Sequence, residues 1–180
     1  MTINKTLKVI LVEPAGPINV GSVARLCENF SVHELRLVSP KCDYLAQEAK
    51  KMAVRGLKIL EKAKVYEDLN SALSDCSRII ATCGRKEHGE IYLNSNKDAL
   101  SWVLKSEREE TIALVFGRED RGLSNEELLK ANKVISLNTN KNYPSLNLSH
   151  AVAIILHQFN QLNELDLLTC LLYTSQSPRD

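Results

Sequence analysis

Short apolar runs alternate with longer segments of helical periodicity along this chain. Five runs rich in Val, Ile and Leu predict strands at 7–13, 34–39, 78–83, 111–117 and 133–138. Because each run is short, continuous and rich in these residues, the strands should be buried on both faces, as in a parallel sheet. Helical patterns predict six helices, at 19–30, about 44–61, 67–75, 97–105, 124–131 and 147–165. The alternation predicts a single α/β domain, an open and mostly parallel sheet flanked by helices.

The composition is that of an ordinary globular protein. The chain has 180 residues, of which 44% are hydrophobic and 25% charged, enough for one domain with its own core. No run approaches the roughly 18 apolar residues of a membrane span, and the N-terminus lacks a signal-peptide pattern. Five cysteines without a CxxC or a Cys/His cluster predict reduced thiols and no bound metal. We therefore expect a cytoplasmic protein.

Charge is distributed unevenly. The formal net charge of +1 gives no sign of a polyanionic partner. Residues 46–64, however, hold six Lys or Arg against two Glu, a local excess of four positive charges. Two interpretations stay open at this point: a solvated helix face, or a nucleic-acid footprint that includes Lys50, Lys51, Arg55 and Lys58.

Polar and basic residues follow the predicted strands at their carboxyl ends, where open α/β sheets bind ligands. They are Asn19, Gly21 and Arg25 after the first strand, Gly84, Arg85 and Lys86 after the third, and Gly117, Arg118, Glu119 and Arg121 after the fourth. Each group could be structural, since a helical Arg or a basic turn is usually solvated. A site lined by Arg and backbone amides nevertheless suits an anionic or phosphate-bearing ligand. There is no acidic dyad, no Ser-His-Asp order and no GxGxxG to indicate other chemistry.

The last predicted strand leads into "NYPSLNLSHAVAIIL" (142–156), where a polar turn runs directly into an apolar helical pattern. The side chains of Ser145, Asn147 and Ser149 can each accept a hydrogen bond from a free helix N–H, so the segment could simply cap a helix. The same residues could also line a ligand site. Both interpretations are compatible with the sequence.

Three segments resemble the SpoU/TrmH-type RNA ribose 2′-O-methyltransferases of the SPOUT superfamily. They are "NVGSVAR" (19–25), "LVFGREDRGLSNEEL" (114–128) and "YPSLNLSHAVAIIL" (143–156). Within the family the motifs are most similar to the TrmJ-type tRNA (cytidine/uridine-2′-O-)-methyltransferases. The resemblance covers residue 7 to about 165 and implies a C-terminal trefoil knot, with the helix at 147–165 tucked behind the neighbouring loops.

The resemblance also implies an activity. S-adenosyl-L-methionine would donate a methyl group to a ribose 2′-hydroxyl of RNA, with tRNA at the first residue of the anticodon loop as the expected target. Alternatives left open are the tRNA wobble residue, rRNA, or a non-catalytic RNA-binding protein on the same fold. Family members are homodimers in which an Arg of one subunit reaches the cofactor pocket of the other.

Site residues follow from matching positions in the motifs. The resemblance implies the catalytic residues Arg25, Arg118, Ser145 and Asn147. It implies the cofactor-binding residues Thr82, Cys83, Gly84, Gly117, Leu137, Pro144, Ser145 and Leu146. It implies RNA contacts by Asn19, Arg25, Arg85, Lys86 and Arg118. Arg25 would stabilise the developing alkoxide, because a guanidinium with a pKa above roughly 12 is a poor base. Pro144 departs from the family, which commonly has Ser at that position.

The C-terminal twelve residues, 169–180, continue no helical period in the sequence. They resemble translated read-through of an adapter used in preparing sequencing libraries. We therefore expect a methyltransferase domain over residues 1–168, followed by a non-native tail in place of a natural C-terminal extension.

Overall fold

The computed structural model describes residues 5–85, 89–105 and 109–175. The strands are β1 Lys5–Val12, β2 Glu34–Val38, β3 Lys64–Tyr66, β4 Arg78–Thr82, β5 Glu110–Phe116 and β6 Lys133–Ile135. The helices are α1 Pro17–Asn29, α2 Gln47–Ala53, α3 Leu57–Glu61, α4 Leu69–Leu73, α5 Asn96–Leu104, α6 Asn125–Leu128 and α7 Leu148–Ser175, with a 3-10 turn at Val54–Gly56 between α2 and α3.

The six strands form one parallel sheet in the order β3-β2-β1-β5-β4-β6. Its centre is β1, in which Leu11 lies opposite Leu37 of β2 on one side and Phe116 of β5 on the other. All five predicted strands are present, so the predicted open parallel sheet is confirmed. The sequence did not reveal β3, because this short edge strand is largely exposed and therefore carries no apolar run.

Both faces of the sheet are buried, as the continuous apolar runs predict. On one face, Val9 and Leu114 belong to a core formed with α1, α2, α5 and α7. On the other face, Ile10 and Val115 pack in a core that includes residues of α4 and α6. Successive residues of a strand therefore point into different cores, which leaves no position for an exposed polar side chain in the central strands.

The predicted helix at 44–61 is wrong as a single helix. α2 ends at Ala53, and Val54 has φ 49° and ψ −113°, a conformation that costs a β-branched residue about 1–3 kcal/mol. The break lets Gly56 pack against α1, where a Cβ would lie only 2.4 Å from the Ala24 carbonyl oxygen. Gly21 makes the same kind of contact from α1, since its Cβ would lie 2.1 Å from the Ala49 carbonyl oxygen. Tertiary packing therefore overrides the helical pattern.

The C-terminal helix is longer than predicted. α7 continues to Ser175, ten residues beyond the expected end at 165. The expectation that the helix does not continue after residue 168 is therefore wrong for residues 169–175. Residues 176–180 lie outside the described part of the chain. The non-native origin of the tail and the trefoil knot both stay predictions. In the ranges that the structure describes, no helix is long and apolar enough to cross a membrane.

Candidate functional site

A cavity of about 260 Å³ opens at the carboxyl ends of β4, β5 and β6. All eight residues predicted to bind the cofactor line it: Thr82, Cys83, Gly84, Gly117, Leu137, Pro144, Ser145 and Leu146. Arg85, Arg118, Glu119 and Arg121 complete its polar side, and Phe116 and Leu148 add apolar wall. Segments separated by more than fifty residues of sequence thus converge where an open α/β sheet binds its ligands.

Two glycines of this cavity have different roles. A Cβ on Gly84 would meet nothing within 4 Å, so its backbone faces open space on the cavity wall. A Cβ on Gly117 would lie 2.1 Å from the carbonyl carbon of Gly122, because the loop folds back and Gly122 N–H donates to the Arg118 carbonyl at 2.8 Å. The close backbone approach at Gly117 is therefore to its own loop.

Asn147 confirms the capping interpretation of the segment before α7. Its Oδ1 accepts hydrogen bonds from the Ser149 backbone N–H at 2.9 Å and from the Ser149 hydroxyl at 2.7 Å. Its Nδ2 donates to Asn19 Oδ1 at 3.1 Å, which ties the start of α7 to the start of α1. Ser145 instead lines the cavity. The cap and the ligand site are thus built from adjacent residues of one segment.

Glu119 is a structural centre of the site that the predicted residue set omitted. Its carboxylate accepts hydrogen bonds from the N–H of Ala15 at 2.9 Å and of Gly16 at 3.0 Å, and from Asn19 Nδ2 at 3.0 Å. Burial raises the pKa of Glu119, but these hydrogen bonds outweigh it and leave the pKa below its ordinary value. A chain of bonds therefore joins Glu119 through Asn19 to Asn147. The sequence signal that could have identified Glu119 is an acidic residue between arginines directly after a strand.

Arg118 lines the cavity with its guanidinium already paired. Its Nε and Nη2 donate to the two carboxylate oxygens of Asp120 at 2.5 and 2.8 Å, and its Nη1 lies 3.6 Å from Glu13 Oε2. The hydrogen bond from Arg118 lowers the pKa of Asp120. Because both groups are partly exposed, a phosphate could take the place of Asp120 at modest cost.

Arg121 is explained by structure. Its Nη2 donates to Glu13 at 2.9 Å and its Nη1 to Glu127 at 3.1 Å. Glu127 in turn forms a capping box with Ser124 at the start of α6. The hydrogen bond from Arg121 lowers the pKa of Glu13, which has φ 50° immediately after β1. Arg121 therefore fixes the end of β1 against α6.

The other predicted cations are placed differently. Arg85 lines the cavity and donates to Asn125 Oδ1 at 2.7 Å, while its Nε is buried without a hydrogen-bond partner in the described part of the chain. Lys86 lies outside the described residues. Arg25 is exposed on α1 and is not among the residues that line the cavity. Asn19 contacts the site through its bonds to Glu119 and Asn147.

A larger cavity, of about 820 Å³, lies between the start of α5 and the distal half of α7. Amide side chains of Asn94, Asn138 and Gln158 line it together with the exposed Leu165 and Leu168. None of the predicted site residues contributes to it, so we assign the candidate site to the smaller cavity. Over the described ranges, no group of three or more His, Cys, Asp or Glu side chains could hold a metal ion.

Comparison with known proteins agrees with this architecture. The sequence profile described as "SpoU rRNA Methylase family" matches residues 6–157. The chain is 42% identical over 156 residues to "tRNA (cytidine-2′-O-)-methyltransferase TrmJ" of Methanocaldococcus jannaschii, covering 84% of this chain and 66% of that protein. The Sulfolobus acidocaldarius protein of the same name is 36% identical over 156 residues, covering 85% and 64%.

A solved structure is similar over nearly the whole chain. The crystal structure of TrmJ from Z. mobilis ZM4 superposes with a TM-score of 0.79 at 25% identity, covering 97% of this chain and 72% of that one. The chain thus spans slightly less than two thirds of the two archaeal relatives' lengths.

Proposed function

Because the chain belongs to the SpoU rRNA methylase family, we propose that it methylates a ribose 2′-hydroxyl of tRNA with S-adenosyl-L-methionine. The observation that carries this proposal is the convergence of all eight predicted cofactor residues on one cavity. Cytidine in tRNA is the substrate to test first, since two archaeal relatives are named for it. The first residue of the anticodon loop, which the sequence resemblance implies, is the expected position, and the cytoplasm the expected location.

The residues of the cavity fit this cofactor. Leu137 and Leu146 offer an apolar wall for a flat ring, and the open backbone at Gly84 allows close contact. The buried Nε of Arg85, unpaired among the described residues, suits a carboxylate. When bound, S-adenosyl-L-methionine supplies a methyl group on a positively charged sulfur, from which it leaves readily.

The protein's own task is then to position the ribose hydroxyl and to stabilise its negative charge as the proton is lost. We assign that stabilisation to Arg25, because a guanidinium donates hydrogen bonds to an alkoxide but cannot accept a proton at neutral pH. Ser145, on the cavity wall, and the fixed amide of Asn147 would orient the reacting groups. Asn19, Arg85, Lys86 and Arg118 would contact the RNA, with a phosphate displacing Asp120 from Arg118.

The exposed position of Arg25 supports a homodimer with the active site at the subunit interface. In the described chain Arg25 is exposed on α1 and is not among the residues that line the cavity. We propose that Arg25 of one subunit acts at the cavity of the other. The dimer would then have two composite sites, and each subunit would supply the cavity of one site and the Arg25 of the other.

Two measurements test the proposal. Unmodified tRNA incubated with the protein and isotope-labelled cofactor should gain one 2′-O-methyl group, and mapping should place it in the anticodon loop. Mixing inactive Arg25→Ala with inactive Gly84→Trp, which fills the cavity, should restore partial activity, because mixed dimers contain one intact site. A wild-type protein that methylates no tRNA would refute the function. Active wild type without complementation would refute the shared site alone.

A further inference from the structure

The arginines of the described ranges fall into two groups. Most are paired: Arg36, Arg78, Arg118 and Arg121 with carboxylates, and Arg85 with the Asn125 amide. Arg25 and Arg55 are both exposed and, among the residues that the structure describes, neither side chain makes a hydrogen bond or ion pair. A protein that pairs its arginines elsewhere leaves these two available.

The backbones of these two arginines lie at one close contact between α1 and the 3-10 turn. Gly56 packs so tightly on α1 that a Cβ there would lie 2.4 Å from the Ala24 carbonyl oxygen and 2.7 Å from the Arg25 nitrogen. Arg55 immediately precedes this contact. α1 and the 3-10 turn therefore meet at the point where Arg25 begins, and the position of Arg55 relative to Arg25 is fixed by backbone packing.

The turn that carries Arg55 is held against the preference of its own sequence. Val54 has φ 49°, which is rare for a β-branched residue, and its side chain is 55% exposed, so its own burial does not explain the conformation. Such residues concentrate at functional sites, where the surrounding structure holds them. The break in the predicted helix thus brings a basic turn to α1.

The surroundings of the pair are positive. Lys51 of α2 and Lys58 of α3 are exposed on the helices that adjoin this turn, and neither forms an ion pair within the described ranges. Glu28 of α1 and Glu48 of α2 are exposed acids on the same two helices, and neither is within ion-pair distance of the arginines. Neighbouring guanidinium groups repel each other unless an anion lies between them, and a phosphate accepts hydrogen bonds from both.

Resting on the proposed function, we infer that Arg25 and Arg55 together bind one phosphodiester of the tRNA, adjacent to the methylated nucleotide. Arg55 is a positioning residue in this scheme: it holds the phosphate that brings the ribose to Arg25. Lys51 and Lys58 contact further phosphates along the same RNA strand. Of the two interpretations of the basic segment 46–64, a solvated helix face or a nucleic-acid footprint, this inference favours the footprint.

The first test compares Arg55→Gln with Lys105→Ala, which removes an exposed lysine that forms no ion pair with any residue the structure describes. With S-adenosylhomocysteine present, Arg55→Gln should bind tRNA about three- to tenfold more weakly, and the slope of log affinity against log salt should fall by about 0.7–0.9. KM for tRNA should rise while kcat changes less than about threefold. Arg55→Lys should keep the salt slope. Lys105→Ala should match the wild type, and unchanged S-adenosylhomocysteine affinity confirms that each variant is folded.

The second test is a double-mutant cycle on tRNA affinity. If one phosphate contacts both arginines, the loss in Arg25→Ala/Arg55→Gln should be smaller than the product of the single losses, whereas Arg25→Ala/Lys105→Ala should be additive. Wild-type affinity and salt slope in Arg55→Gln, with an active wild type, would overturn this inference and leave the proposed function intact. A wild type that methylates no tRNA would overturn the proposed function, and this inference with it.

Discussion

Replacing Glu119 by Gln tests whether one carboxylate holds the site together. The two side chains have nearly the same shape, but Gln presents an NH₂ group where Glu presents a second oxygen. In the best orientation the amide oxygen keeps the bonds from Gly16 and Asn19, and the NH₂ group faces the N–H of Ala15. One hydrogen bond is lost and the other two lose their charge.

The magnitude follows from these three bonds. A hydrogen bond to a charged group contributes about 1.5–3 kcal/mol. The bond from Ala15 is exposed to solvent, so its contribution lies at the lower end of that range. We expect Glu119→Gln to lower the free energy of unfolding by about 2 kcal/mol. For a chain of this size, that corresponds to a fall in Tm of about 4–8 °C.

Thermal unfolding followed by circular dichroism measures this difference. The matched control is Glu126→Gln, an exposed carboxylate in the first turn of α6, which should change stability by less than about 1 kcal/mol. Methyl transfer should fall as well in Glu119→Gln, because the acceptor that orients Asn19 toward Asn147 loses its charge. If Glu119→Gln melts together with the control and remains fully active, the proposed bond chain does not hold the site.

The same variant predicts a pH dependence. Because the pKa of Glu119 is lowered in the folded state, its contribution is fully present above the ordinary value of 4.5 and is lost as pH falls through the lowered pKa. The stability gap between wild type and Glu119→Gln should therefore be constant near neutrality and narrow as the pH falls below the ordinary value of 4.5. A gap that widens in acid would contradict the sign of this argument.

Four other substitutions probe separate contacts. Arg25→Ala should leave calorimetric cofactor affinity within about twofold and reduce methyl transfer by at least about 10²-fold; near-normal turnover would mean that another group serves the hydroxyl. Gly21→Ala places a Cβ 2.1 Å from a backbone oxygen and should cost about 3 kcal/mol in thermal melts. Gly84→Ala, with nothing within 4 Å, should melt normally but bind the cofactor more weakly; equal Tm values for both variants would refute the α1–α2 contact. Asp75→Asn should cost about 2 kcal/mol because Arg36, with a side chain only 2% exposed, loses its bidentate partner. The bond from Arg36 lowers the pKa of Asp75, so this loss, measured by urea unfolding, should persist at pH 5 and shrink only below the ordinary 3.8.

Patterns of neighbouring residues predict the parts of this fold that depend on short-range interactions, namely strand burial and helix capping. The apolar runs of β1 and β5 predict two-sided burial because every position in a covered parallel strand faces a core. The motif that contains Ser145 and Asn147 predicts both the cap and the cavity wall, because both depend on short-range backbone geometry.

Long-range contacts were beyond such patterns. The sequence around Val54 offers only the isolated Gly56, which a helix tolerates at a cost of about 1 kcal/mol. The cause of the break is the packing of Gly56 on α1, about thirty residues away. Glu119 looks like one more surface charge until the loop after β1 is brought beside it. Arg121 looked functional in the sequence because its structural partner, Glu13, is distant along the chain and could not be recognised as its partner.

The strand order also determines when this protein can fold during its synthesis. β1 needs β5 as its neighbour, with Lys5 opposite Glu110, yet at about 5–20 residues per second β5 leaves the ribosome roughly 5–20 s later. Meanwhile β1 can pair with β2 and bury one face under α1, but its other edge has no strand to bond. An apolar strand edge of this kind invites pairing with other nascent chains. We therefore expect ribosome-bound chains that end before β5 to depend on chaperones, and cofactor binding to begin only after residue 151, the last to line the cavity, has emerged.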